Sequence, residues 1–282
     1  MTQLNQSKFP EYAKDFKVRS DCMLAIGDDQ EVQQSLKNKR IAVTGGTGFL
    51  GTWIAECITA LNDERGLNIS LDLYARNIVE WKKIHPQLSG RKDIHLVAQD
   101  IRSPFQFNPQ TNFVIHAAGI PSSRIHASDP LRIAQTTVEG IDNVLDAATK
   151  LPDLIRFINI SSCLVAGRPI QSGSMSENES YPIQAGQLSN VYADSKRMAE
   201  TIATIYRSQH RLPISTLRPF TFIGPYQKID CPWAINNFLN DVLSGQSIRI
   251  SGNASACRSY LYGSDAAWWV LVSLVRAADG GI

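Results

Sequence analysis

Thr44-Gly45-Gly46-Thr47-Gly48-Phe49-Leu50-Gly51 constrains this chain more than any other stretch. It stands between the apolar run Ile41-Ala42-Val43 and a run in which Leu50, Ile54, Cys57, Ile58 and Leu61 recur at helical spacing. The pattern predicts strand, glycine-rich turn, helix. Gly45 and Gly48 let the backbone turn tightly and approach a pyrophosphate, and Gly51 lets the helix pack closely. Free N–H groups at the helix start then face the phosphates. The spacing is G-x-x-G-x-x-G rather than the commoner G-x-G-x-x-G, and its strand-before, helix-after setting is the context that a dinucleotide site requires.

Short apolar strands alternate with helical segments along the rest of the chain. Strands are predicted at Arg40–Thr44, Ile69–Ala75, Ile94–Ala98, Phe113–His116, Arg156–Ile160 and Ile214–Leu217, and helices near Leu50–Leu61, Leu131–Thr149 and Val191–Arg207. That alternation implies an α/β fold, a parallel sheet covered by helices on both faces. Residues 1–38 read as an N-terminal extension, either a helix pair or a partly ordered arm. The stretch 168–190 reads as a long polar loop, either a cover for substrate or a surface insertion. The formal net charge of +2 gives no electrostatic case for nucleic acid or an anionic membrane. Five cysteines without paired spacing predict no metal site and point to a reducing cytoplasm. The longest apolar stretch, Ala266 to Val275, is too short to span a bilayer. Its Trp268 and Trp269 read as core or interface anchors.

Of the eight tyrosines, only Tyr192 has a lysine four residues on, Lys196. On a helix the two share a face. An ammonium ~4 Å away, at an effective dielectric near 20, is worth about 4 kcal/mol to a phenolate, roughly 3 pKa units before desolvation takes some back. Taken alone, the pair reads first as an ordinary helix surface and gains weight only beside the other motifs. A third motif, Phe157-Ile158-Asn159-Ile160-Ser161-Ser162-Cys163, ends an apolar strand in two serines. A serine there either hydrogen-bonds a ligand beyond the strand end or caps the strand.

These three motifs, in this order, resemble the extended short-chain dehydrogenase/reductase family, the NAD-dependent epimerase/dehydratase enzymes that modify nucleotide sugars, in particular members from polysaccharide loci. The resemblance spans most of residues 39–282 and implies a Rossmann-like doubly wound sheet over 39–217. A small interleaved substrate-binding lobe is then expected over 218–282, and the family's further strand and helices would follow Ile282. Carried over residue by residue, the resemblance makes Tyr192 the acid/base, Lys196 its partner and ribose ligand, and Ser162 the catalytic serine, with Ser161 structural. It places the cofactor on Gly45, Thr47, Gly48, Phe49, Leu50 and Gly51, on Asp100 and Ile101 near adenine, and on Ala117, Ala118 and Gly119. The sugar nucleotide falls to Ser162, Thr221 and Arg258. The expected partners are a nucleotide-diphosphate sugar and a second copy in a homodimer.

Departures from the family pattern matter. Thr137 and Thr221 stand where Asn is common. Cys163 and Leu164 stand where 4,6-dehydratases carry Asp-Glu, and leucine transfers no proton. The expected reaction is therefore C4 epimerisation, with a 4-ketoreductase next, then a dehydratase or a dinucleotide-sensing module. The cofactor is NAD(P). Counting past the glycines leads to Asp72, but Asn62–Asn68 lengthens the connection, and the strand end falls at Tyr74-Ala75-Arg76. Arg76 there either meets a 2′-phosphate, favouring NADP, or is a solvated charge.

Overall fold

The inner strands of the central sheet are buried on both faces, so their sequences read as largely apolar runs rather than alternations. A computed structural model describes residues 16–120, 123–167, 179–182, 184–227, 233–250 and 252–281. Helices α1 (Phe16–Ile26) and α2 (Gln30–Leu36) precede β1 (Arg40–Thr44). Then come α3 (Phe49–Arg65), β2 (Ser70–Ala75), α4 (Val79–Ile84), α5 (Pro86–Ser89), β3 (Ile94–Ala98) and β4 (Phe113–His116). After these follow α6 (Ser123–Ser128), α7 (Pro130–Ala148), β5 (Arg156–Ile160), α8 (Val191–His210) and β6 (Ile214–Leu217). The chain continues through β7 (Thr221–Ile223), α9 (Ala234–Leu243), β8 (Tyr260–Tyr262) and α10 (Gly263–Arg276). The six strands expected from the sequence form with bounds changed by at most one residue.

The sheet runs β3-β2-β1-β4-β5-β6 with every pair parallel. Strand order reverses between β1 and β4, which is where such sheets open a crevice for ligands. Ile41 and Val43 join a core with Trp53, Ile54 and Ile58 of α3 and with Ala267 and Leu271 of α10. Ala42 turns the other way, towards Ile141, Val144 and Leu145 of α7 and Ala199 of α8. One row of this second face is polar: Thr44, His116, Asn159 and Thr216 are register partners across β1, β4, β5 and β6, and all four are buried.

Local signals set the helix ends. Gly66 ends α3 with φ +60° and donates its N–H to the Asn62 carbonyl. Asp129 caps α7 by accepting from the Arg132 N–H at 3.2 Å, with Pro130 at the first helical position. The α1–α2 pair lies against α3 and α10 and buries Val18, Cys22, Ile26, Val32 and Leu36. Half-exposed ion pairs, Arg19 with Asp63 and Arg276 with Asp29, ring this contact. The apolar burial carries more of the free energy than such pairs do.

The C-terminal stretch is shared between two places. Helix α10 packs beneath the main sheet, with Trp268 buried and Trp269 exposed. Strands β7 and β8 form a separate parallel pair. An aromatic cluster ties that pair to α3: the Trp53 ring meets Tyr226 at 5.5 Å and Tyr262 at 5.4 Å, edge to face. The Trp53 indole N–H donates to the Pro225 carbonyl at 3.0 Å, and the Tyr226 hydroxyl donates to Glu56 at 2.7 Å. Most of the polar loop expected at 168–190 lies outside the described residues. Its described end is fixed by the Tyr181 N–H donating to the Ala166 carbonyl at 2.7 Å.

Trp53→Ala should therefore cost ~3–5 kcal/mol by urea denaturation, the range for emptying a buried aromatic site. Trp53→Phe should recover about half of that loss. A loss under 1 kcal/mol would show that the cluster does not hold β7 and β8 in place.

Candidate active site

The glycine turn is built by close approach as much as by flexibility. Gly45 has φ +70°, and a Cβ there would sit 2.8 Å from the Ala117 carbonyl oxygen and from the Ala118 nitrogen. A Cβ on Gly51 would run into the backbone of Gly46 rather than into the strand. Gly48 differs. Its φ is −83°, it is exposed, and beyond the adjoining residues a Cβ there would meet the Gly45 carbonyl oxygen at 3.1 Å. As N-cap of α3 it offers no side-chain hydrogen bond, so the first N–H groups of the helix keep their capacity for an anion. Thr47 is half-buried beside it, and Leu50 is buried. The Phe49 ring stacks on Phe222 of β7 at 5.8 Å, joining the helix start to the small sheet. An uncapped helix start above an open glycine fits a dinucleotide pyrophosphate.

Beyond β2, Arg76 is exposed, and its charge helps to hold the Asp100 carboxyl below its usual range. The larger cause is Arg102, which pairs with Asp100 at 2.6 Å. Ile101 is buried against Gly140 of α7, and its carbonyl accepts from the Asn143 amide at 2.9 Å. Asp72 points away from this end: it pairs with Arg40 at 2.5 Å inside the sheet. Asp72 is thus committed to the sheet, and Arg76 is the side chain that directly follows the end of β2.

The other half of the crevice is lined by Ala117, Ala118 and Gly119, just after β4. The Ala117 N–H donates to the Thr44 carbonyl at 3.1 Å, which ties this segment to the glycine turn. Lys196 reaches the same place. Its Nζ lies 3.9 Å from where a Gly119 Cβ would stand and donates to the Ile160 carbonyl at 2.7 Å. Burial pulls its pKa down to about 8, with the Glu200 carboxylate opposing. Glu200 itself accepts from the Ser161 hydroxyl at 2.5 Å and pairs with Arg218 at 2.6 Å. Ser161 is thereby committed to the scaffold.

Ser162 is free to face Tyr192. Its Oγ accepts the Leu164 N–H at 3.3 Å, and its hydroxyl stands near enough to the phenol of Tyr192 to draw its pKa down. Burial nevertheless lifts the Tyr192 pKa above its ordinary value, and Ser162 only partly offsets this. The sequence argument expected the ammonium of Lys196 to draw the phenol down. In this form the charge is held at the Ile160 carbonyl, and burial decides the direction. Cys163 is half-buried and its thiol is also pushed up by burial, while Leu164 is exposed.

Thr221 opens β7, and its N–H donates to the carbonyl of Ser259, the residue after Arg258, at 3.3 Å. The exposed Arg258 side chain donates to the Cys257 carbonyl at 2.7 Å. Two residues of the crevice had no signal in the sequence. His126 of α6 stacks flat on the Tyr192 ring at 4.7 Å and 16°. Asn159 is buried in β5 with both amide atoms unpartnered. Among the described residues there is no cluster able to hold a metal ion and no helix long and apolar enough to cross a membrane.

Gly48→Val should leave the apo fold intact at the cost of a small backbone shift, because its Cβ meets a single neighbour, the Gly45 carbonyl oxygen at 3.1 Å, and its φ is ordinary, and it should abolish dinucleotide binding by calorimetry. Gly45→Val should unfold or strongly destabilise the protein, because its Cβ has no space and its φ is positive. Unchanged cofactor affinity in folded Gly48→Val would remove the pyrophosphate from this turn.

Comparison with known proteins agrees with the geometry. Residues 41–281 match the NAD dependent epimerase/dehydratase family. UDP-N-acetyl-alpha-D-glucosaminuronate decarboxylase of Bacillus cytotoxicus is 28% identical over 249 residues, covering 86% of this chain and 74% of that protein. UDP-glucuronic acid decarboxylase 6 of Arabidopsis thaliana is 26% identical over 249 residues, 86% of this chain and 67% of the relative. Among solved structures, UDP-N-acetylglucosamine 4-epimerase from Methanobrevibacter ruminantium superposes with a TM-score of 0.73 at 22% identity, covering 87% of this chain and 76% of that one. The glycine turn, the parallel six-stranded sheet and the match over nearly the whole described chain lead to one conclusion: the protein belongs to the NAD-dependent epimerase/dehydratase family of the extended short-chain dehydrogenases/reductases.

Proposed function

We propose that this chain oxidises a nucleotide-diphosphate sugar at C4 and reduces the resulting ketone again, which epimerises that carbon. The observation that carries the reading is the convergence of buried Ser162 after β5, Tyr192 in the first turn of α8 and Lys196 one turn further on, its Nζ beside Gly119 of the cofactor crevice. When bound, the nicotinamide supplies a hydride acceptor and then a hydride donor. Tyr192, as phenolate, takes the proton of the C4 hydroxyl and later returns it. The Ser162 hydroxyl orients the sugar oxygen. An ammonium has three donors, so the bond from Lys196 to Ile160 leaves two for the phenolate and the cofactor ribose. That charge offsets the burial that otherwise raises the phenol.

Neither neighbour of Ser162 serves a dehydration. Leu164 has no proton to give, and the thiol of Cys163 is held in its neutral form by burial. A second reading is favoured by the decarboxylase relatives. Oxidation at C4 of a sugar that carries a C5 carboxylate makes a β-keto acid, which loses carbon dioxide without a further acid residue. The same three side chains then serve, and the substrate decides the outcome.

The test is incubation with NAD or NADP and either UDP-N-acetylglucosamine or UDP-glucuronic acid, with products read by NMR. A C4 epimer with no net cofactor change is expected. A UDP-pentose with carbon dioxide would replace epimerase by decarboxylase, and a 4-keto-6-deoxy sugar would overturn the exclusion of dehydration. Tyr192→Phe should keep cofactor affinity and lower turnover on the order of 10²–10⁴-fold. Full activity in that variant would end the catalytic assignment and favour a dinucleotide sensor.

The preference for NADP rests on Arg76 at the end of β2, where no acid replaces it. Arg76→Ala should weaken NADP more than NAD by ~1.5–3 kcal/mol, measured by calorimetry. An equal loss for both would show that Arg76 does not meet a 2′-phosphate.

A further inference from the structure

We infer that His126 is a positioning residue for Tyr192, fixing the plane of the phenol ring relative to the segment that faces the cofactor. The inference rests on the reading of Tyr192 as the acid/base. Tyr192 is the second residue of α8, and Asn190 before that helix makes no side-chain cap bond. A first turn without such a cap is held weakly by its own backbone. The ring therefore needs support from outside α8. Ser162 faces the hydroxyl at its tip. The imidazole of His126 covers a ring face, with centroids 4.7 Å apart and planes 16° from parallel. Aromatic stacking of this kind is directional and adds to simple burial.

The imidazole is itself anchored. Its Nε2 lies 2.7 Å from the Ile120 carbonyl oxygen, and with a proton on that nitrogen it donates there. Ile120 directly follows Ala117-Ala118-Gly119. One side chain thus joins the segment lining the cofactor crevice to the ring that would move the proton. Helix α6, which carries it, is followed at once by the Asp129 cap of α7, which fixes its C-terminal end. A leucine or methionine would cover the ring but would not bond Ile120, and an asparagine would bond without stacking. The titratable groups around the phenol are Cys163 in the turn after β5, His126 from α6, and Lys196 further along α8.

The test uses ultraviolet difference titration of phenolate in the apo protein, with Tyr192→Phe subtracted to isolate the step of Tyr192. In His126→Ala, water reaches the uncovered ring, and the step should move down by about one pH unit. In His126→Phe the stacking face is kept although the bond to Ile120 is lost, and the step should move by less than half as much. With UDP-N-acetylglucosamine or UDP-glucuronic acid as substrate, His126→Ala should lower kcat about tenfold, with NAD affinity unchanged, because a displaced acid/base costs rate rather than binding. His126→Phe should restore most of the rate. A Tyr192 step that does not move in His126→Ala, or that moves equally in both variants, overturns the inference. Full activity in Tyr192→Phe would instead remove the catalytic reading and leave the titration result standing, so the two failures are distinguishable.

Discussion

Backbone lies directly on backbone where Gly45 meets Ala117 and Ala118, and the crevice depends on that contact. No side chain fits between the turn after β1 and the segment after β4. Two adjacent parallel strands part here to send their connections to opposite faces, so their ends would ordinarily diverge. The contact keeps the helix start that suits a pyrophosphate beside the segment reached by Lys196. A single dinucleotide could then touch both ends of the crevice.

Electrostatics adds a second constraint. Lys196 is buried without a carboxylate of its own, since Glu200 is already engaged by Ser161 and Arg218. A desolvated ammonium bound to one carbonyl is a costly arrangement in a stable core. It becomes intelligible if a bound ribose and a phenolate complete its shell. The buried His116 nearby is drawn down to about 3 by burial and by the Lys196 charge, so it stays neutral and adds no competing cation. Strained or unsatisfied groups of this kind cluster where a ligand is to be held.

Much of this architecture was legible in the chain. Runs such as Ile41-Ala42-Val43 and Phe113-Val114-Ile115 marked strands because a parallel sheet buries both faces. The glycine turn was legible because its spacing answers a geometric need. The pair Tyr192–Lys196 was found through helical periodicity, and Arg76 by following the strand rather than counting residues. His126 was not legible: it stands 66 residues before Tyr192, and stacking leaves no periodic trace. The direction of the Tyr192 shift was missed for a related reason. Burial depends on what packs around a side chain, which spacing along one helix does not reveal.

The row Thr44, His116, Asn159 and Thr216 has a consequence for assembly of the sheet. Parallel strands made only of interchangeable aliphatic residues have several nearly equivalent alignments. Sliding one of these strands by a single residue would turn its polar member to the opposite face, among Ile41, Val43, Ile115 and Ile158. It would also break the hydrogen bond between Thr44 and His116, 2.8 Å long. Misaligned pairings are thereby penalised at four successive strands. The seam acts as a ruler, selecting one alignment from many during folding.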